Sequence, residues 1–209
     1  MAPHVNLAAP MPPPERPAPP RRPAELDDLT LVRAQRGDPD ARRKLVHRYQ
    51  RPVFALLSRM FRSRDRSHIE DMAQETFLRV FRALKSYKLG GPARLSTWIL
   101  TIASNRAIDE LRRKRPDVPG QDVDFERMGH NQAATDATTE RRMLATLIQR
   151  AVDDLSPEFR AAFLLREYHH MTYAEIADAL EIDLGTVKSR IGRARKALRS
   201  TLAEVYYAT

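Results

Sequence analysis

The side chains best suited to act on another molecule lie near the C-terminus. Thr186, Lys188, Ser189, Gly192, Arg193 and Lys196 fall on one side of a helical wheel, with Arg190 and Arg195 on its flanks. Val187, Ile191, Ala194 and Leu198 form a narrow apolar face opposite, and no acidic residue occurs between Leu184 and Ala203. A helix of this kind offers donors to phosphates and to base edges in a major groove. Upstream, Thr172 and Glu175 have the spacing of a capping box, and Ile176, Ala177 and Leu180 give the helix they open an apolar stripe. Glu181, Ile182 and Asp183 make the turn, with Asp183 available to cap the next helix. Tyr173 to Gly192, with the turn that follows, therefore reads as a helix-turn-helix. The plainer reading is a solvated basic helix on a bundle. Capping box, turn length and a one-signed second helix in register favour DNA.

A second stripe lies upstream, where Trp98, Thr101, Asn105, Asp109 and Arg112 line one side of an expected helix that ends in Arg113, Lys114 and Arg115. An aromatic ring, hydrogen-bonding side chains and cations in one line suit unpaired bases and phosphates. On these residues alone a core tryptophan and a satisfied amide explain the stripe better.

Nothing in the chain suggests catalysis. There is no cysteine and no nucleotide-binding glycine loop, and the adjacent His169 and His170 point apart on a helix. No catalytic residue, metal, cofactor or small-molecule substrate is expected. The formal net charge of +9 favours a polyanionic partner. No apolar run approaches the ~20 residues of a membrane span, and the N-terminus has no signal-peptide core. Membrane insertion is not expected, and the absence of cysteine is compatible with a cytoplasmic setting.

These residues must be positioned by helices, since glycine is scarce and helix formers abound. Residues 1–25 hold nine prolines and little that could form a core, so a disordered tail is expected there. Asp27 or Asp28 opens a short helix that Gly37 ends, and Asp38-Pro39 starts a second, with Leu45, Tyr49, Val53, Leu56 and Met60 on its buried side and a kink at Pro52. Ser67 and Glu70 have capping-box spacing before Ile69, Met72, Ala73, Phe77, Val80, Phe81 and Leu84, which recur at helical steps. Ser96 is the expected cap of the helix carrying Trp98 and Asn105. Residues 116–138 lack periodicity and are acidic, which reads as a linker. About 23 relaxed residues span roughly 25–30 Å. Helix resumes near Thr139, and Ser156-Pro157 starts another helix ahead of the helix-turn-helix. The expectation is an all-α protein of two small domains, 26–115 and 139–209, joined by a flexible acidic linker.

Three segments in this order resemble the extracytoplasmic-function group of the sigma-70 family: DMAQETFLRVFRAL (Asp71 to Leu84), STWILTIASNRAIDELRR (Ser96 to Arg113) and the stretch from Leu155 to Leu198. The resemblance covers roughly residues 28 to 205. It implies that Asp71, Gln74, Glu75, Phe77, Phe81 and Leu84 meet the clamp helices of the largest subunit of core RNA polymerase, and that the C-terminal domain meets the flap. It implies that Trp98, Asn105, Arg106, Asp109, Arg112 and Arg113 open and read the −10 element, with Asn105 at a base-contacting position. The helix-turn-helix would read the −35 element through Thr186, Lys188, Ser189, Arg190, Gly192, Arg193 and Lys196. An anti-sigma partner and a role in stress response are further implications. Two positions depart from the family pattern. Gly192 stands where relatives often carry a larger side chain, and Leu95 replaces an aromatic residue often found before the Thr-Trp pair.

Two rival readings remain at this stage. One is a stand-alone helix-turn-helix regulator that works without polymerase. The other is a recombinase-like enzyme using Glu70, Asp71, Asp109 or Glu110 to hold metal, although capping and surface charge already account for those carboxylates.

Overall fold

The structure, a computed structural model, describes residues 25–61, 65–114 and 146–207. Among these residues all regular structure is helical. Helix α1 (Asp28–Gln35) starts where the Asp27 carboxylate accepts from the Thr30 N–H at 2.8 Å, and ends before Gly37, whose φ of +97° suits only glycine. Helix α2 (Pro39–Met60) begins the same way, with Asp38 accepting from the Ala41 N–H and proline at the first turn. It continues through Pro52 and buries Leu45, Tyr49, Val53, Leu56, Leu57 and Met60.

Helix α3 (Arg66–Ala83) departs from the expected cap. Asp65, not Ser67, accepts from the His68 N–H at 3.0 Å, and Glu70 pairs with Arg66 one turn back. Asp65 lies upstream of the expected start, so the helix begins two residues earlier and Ser67 becomes internal. A single 3-10 turn (Leu84–Ser86) follows, held by the Gln35 amide, which donates to the carbonyls of Leu84 and Tyr87.

Helix α4 (Leu95–Lys114) also begins before its expected cap. Ser96 lies inside it, and a residue far back in the chain completes its first turn. Glu25 accepts from the Ser96 N–H at 3.1 Å and from its hydroxyl at 2.6 Å. The same carboxylate accepts from the Tyr49 hydroxyl and pairs with Arg94. One buried-edge acid thus fixes the start of α4 against α2.

The second half contains α5 (146–153), α6 (Pro157–Glu167), α7 (Tyr173–Leu180) and α8 (Leu184–Tyr207). Ser156 caps α6 with Pro157 at its first position, and Thr172 and Glu175 form the expected reciprocal box on α7. Glu181 closes α7 in the left-handed region at φ 52°, which turns the chain into α8. The expected tail, the linker at 116–138 and the resumption of helix near Thr139 lie outside the described residues.

Helix α2 is the hub of the first half, packed against α1, α3 and α4, while α6, α7 and α8 pack on one another in the second. The halves are not apart. Helix α4 packs against α6 and α7, α2 touches α6, and the buried side chains of both halves form one continuous apolar cluster.

Candidate functional site

The basic face of α8 is built from its first turn. Asp183 accepts from the Thr186 hydroxyl at 2.5 Å and from its N–H at 2.8 Å, and these bonds hold the Asp183 carboxyl below the usual carboxylate range. A Cβ at Gly185 would lie 2.9 Å from an Asp183 carboxylate oxygen, so a larger residue there would push the capping carboxylate aside. Val187, Ile191, Ala194 and Leu198 are buried against the rest of the half. Lys188, Ser189, Gly192, Arg193 and Lys196 are exposed, and Thr186 and Arg190 are half-buried. Arg195 is committed elsewhere, donating to Glu167 at 2.6 and 3.1 Å and so tying α8 to α6. The Arg193 guanidinium lies 6.0 Å from the Phe159 ring. A Cβ on Gly192 would meet open space, so no packing demands that glycine.

The stripe on α4 is partly covered. Trp98 is half-buried, with its ring 5.2 Å from that of Tyr87. Asn105 donates through Nδ2 to the Ala179 carbonyl on α7 at 3.2 Å, and Thr97 donates to Glu175 at 3.2 Å. Arg112 pairs with Glu158 at the start of α6 at 2.6 Å. Asp109 and Arg113 face solvent. Arg106 does not belong to an exposed face. It is 7% exposed and points into the first half, donating to Glu110 at 3.0 Å and lying 2.9 Å from Glu75. Burial opposes its charge, but the two carboxylates outweigh that and raise its pKa.

The third set lies on α3. Asp71 and Gln74 are exposed and Glu75 and Phe81 half-buried, while Phe77 is 7% and Leu84 1% exposed. Leu84 is therefore a core residue, because the 3-10 turn folds it inward, and it is not part of an accessible face. Phe77 lines a groove of about 330 Å³ between α2 and α3. Sequence reasoning missed the α2 wall of that groove: Val46, Gln50 and Phe54. Their four-residue spacing was the available signal, hidden beside the stronger buried stripe of the same helix. Leu78, 49% exposed, forms part of the α3 wall.

The adjacent His169 and His170 are both half-buried, and the His169 Nε2 is shut off from solvent. Burial, and then the positive charges of Arg59 and His170, push the His169 pKa down to about 4. Among the described residues no three His, Asp or Glu side chains gather to hold a metal ion, and no helix is long and apolar enough to cross a membrane.

This arrangement has counterparts among known proteins. The family model described as Sigma-70 region 2 matches residues 45–116, and that described as Sigma-70, region 4 matches residues 145–198. The chain is similar to the RNA polymerase sigma-H factor of Pseudomonas aeruginosa, at 35% identity over 188 residues covering 85% of this chain and 94% of that protein. It is also similar to the ECF RNA polymerase sigma-E factors of Haemophilus influenzae (34% identity; 85% and 96% covered) and of Escherichia coli K12 (36%; 83% and 93%). In fold it resembles CnrH, solved with the cytosolic domain of CnrY, at a TM-score of 0.59 and 23% identity over 84% of this chain and 96% of that one. It likewise resembles the sigma factor RpoE of Bartonella quintana, solved with the anti-sigma factor NepR, at a TM-score of 0.55 and 22% identity over 77% and 96%.

Proposed function

The chain belongs to the extracytoplasmic-function sigma factors of the sigma-70 family, non-enzymatic initiation factors, and from that premise we propose what each of its surfaces does. The first half is the region 2 domain and the second the region 4 domain. The exposed face of α8 enters the major groove of the −35 element, with Lys188, Ser189, Arg193 and Lys196 meeting phosphates and base edges and Thr186 and Arg190 at its margins. Gly192 lets the helix approach the duplex where a side chain would intervene. The single observation that carries this reading is that Lys188, Arg193 and Lys196 are exposed while Val187, Ile191 and Ala194 are buried.

The α4 stripe acts on the −10 element after strands separate. Asn105 takes the edge of an unpaired base, Trp98 supports the junction, and Asp109, Arg112 and Arg113 steer the backbone. The unstacking cost of a few kcal/mol is met by the assembled complex. Asp71, Gln74, Glu75 and Phe81, with Phe77 at the floor of the groove, receive the clamp helices of the polymerase largest subunit. The region 4 domain rests on the flap. A cytoplasmic protein under the control of an anti-sigma factor fits this reading, since both fold neighbours were solved with such a partner or with a cytosolic fragment.

The test is run-off transcription by core polymerase on genomic fragments with the purified chain added. Promoter-selective transcripts that vanish with Glu75→Lys support the proposal. A chain that binds duplex DNA but never core polymerase would instead be a free-standing regulator.

A further inference from the structure

The first turn of α8 differs from the rest of its exposed face. Further along, Lys188, Ser189, Arg193 and Lys196 present hydrogen-bond donors to solvent. The first turn presents Leu184 and Gly185. The hydroxyl of Thr186, the polar side chain of that turn, donates to Asp183 at 2.5 Å, and the same carboxylate accepts the Thr186 N–H to cap the helix. The leading end of the helix therefore offers a base edge apolar surface in place of donors.

Leu184 is 48% exposed. Leu180 and Ile182, the apolar residues just before it, pack against the core, but Leu184 is not part of that cluster. A single exposed leucine is common and by itself calls for no explanation. The place of this one distinguishes it. In a helix-turn-helix the N-terminal residues of the second helix are those that reach base edges. Leu184 stands one turn before Lys188, so the two share a row on the face assigned to the major groove. Gly185 beside it carries no side chain that would hold a duplex away. Tyr168, another exposed apolar side chain of this half, has the Arg59 guanidinium 4.3 Å over its ring, whereas Leu184 is left to solvent.

Chemistry selects the target. Among the DNA bases only thymine shows a methyl group on its major-groove edge, and an apolar side chain is what meets it. We propose that Leu184 is a specificity residue of the −35 reading face, packing on the C5 methyl of a thymine where the start of α8 enters the groove. The inference rests on the reading of α8 as the major-groove helix. It gives the chain a base preference that none of its cations supplies. A leucine neutralises no phosphate, so this contact adds nothing to the salt dependence of binding.

The probe is the −35 duplex of a promoter on which the full chain initiates with core polymerase, remade with deoxyuridine for thymidine at one position at a time. Each exchange deletes a C5 methyl and leaves every hydrogen-bonding edge in place. One exchange should weaken binding by the wild type roughly four- to ten-fold, the scale of burying a methyl and the surface around it. Leu184→Ala should bind the thymine duplex as weakly as the wild type binds that uracil duplex. It should also be indifferent to the exchange, since both deletions remove the same contact. Its salt slope should match the wild type, and its melting temperature should not fall. Leu184→Met, which keeps an apolar tip, should recover part of the discrimination.

A wild type that is sensitive at no thymine overturns the proposal. So does a Leu184→Ala chain that weakens on every duplex alike and still distinguishes thymine from uracil, which would make the leucine a support of the first turn. Loss of core polymerase binding by Leu184→Ala, with its discrimination intact, would assign the leucine to a protein contact instead. The double variant Lys188→Ala, Arg193→Ala separates the two readings. If it loses −35 binding while Leu184→Ala and every uracil exchange do nothing, the fault lies with the leucine. If it binds as the wild type does, the fault lies with the major-groove assignment of α8.

Discussion

Arg106 on α4 lies 2.9 Å from Glu75 on α3, and this pair joins the helix proposed to meet polymerase to the helix proposed to read the −10 strand. The arginine side chain is 8% exposed and the glutamate 40%, so the pair sits at the boundary of the core. Arg79 holds the other oxygen of Glu75 at 3.0 Å, and Glu110 takes the other end of Arg106. Burial pushes the Glu75 carboxyl up, but the hydrogen bonds from Arg106 and Arg79 prevail and lower its pKa. A partner that pulls on Glu75 therefore acts on the residue beside Asn105.

Arg106→Ala should destabilise the region 2 domain by about 1–2 kcal/mol, between the value of an exposed pair and the ~3–5 kcal/mol of a fully buried one, because Glu75 is 40% exposed and keeps Arg79. Urea unfolding measures it. A change within a few tenths of a kcal/mol would return Arg106 to the list of DNA contacts.

Glu25→Ala should loosen the first turn of α4. It removes the acceptor for the Ser96 N–H and hydroxyl and for the Tyr49 hydroxyl, at a cost of about 1–2 kcal/mol. Hydrogen exchange should quicken at Thr97 and Trp98 before it does at Ala103. Uniform exchange across α4 would deny Glu25 a capping role.

Acid should weaken the fold through His169. Its folded pKa, about 4, lies below its ordinary value of 6.5, so the unfolded chain binds the extra proton first. The stabilising difference is whole above about pH 6.5 and is lost as pH falls toward 4, reaching about 3 kcal/mol at the acid end. Denaturation midpoints followed from pH 7 to 4.5 should drop less steeply in His169→Gln. Parallel curves would place the acid sensitivity elsewhere.

Gly192→Ala should stabilise the region 4 domain by roughly 0.8–1.0 kcal/mol, the helix preference of alanine over glycine, because its Cβ enters open space. If the glycine serves close approach to DNA, the same variant loses −35 affinity while melting higher. A variant that melts higher and binds as well as wild type would leave the glycine without a role at the duplex.

Arg193→Ala should cost about 1–3 kcal/mol in −35 binding and relax preference at one base pair if the guanidinium reads a base. A contact to phosphate alone would instead lower affinity evenly across sequences and reduce the salt slope by about one. Competition binding at two salt concentrations distinguishes them. Asn105→Ala, assayed with polymerase, should impair promoter opening more than closed-complex formation, and equal losses would argue against a base-contacting amide.

What the sequence determined by itself was everything set by neighbours along the chain. The box of Thr172 and Glu175, the Asp38-Pro39 start and the opposition of Val187, Ile191 and Ala194 to Lys188 and Arg193 depend on spacings of one to four residues, which a helix turns directly into faces and caps. Where two local signals competed, the pattern misled: Asp65 took the cap offered to Ser67. The burial of Leu84 agrees with its place on the apolar stripe, and only the family resemblance had set it on an accessible face.

Tertiary structure decided what depends on partners far apart in sequence. Glu25 reaches Ser96 across 71 residues, Asn105 reaches Ala179 across 74, and Arg160 reaches Met60 across 100. No periodicity encodes such pairs, because each is settled by how whole helices pack and by the need of buried donors and acceptors to find one another. For the same reason Arg106, one more cation in a basic helix by sequence, became an internal tie, and a stripe suited to DNA was found already in contact with another part of its own chain.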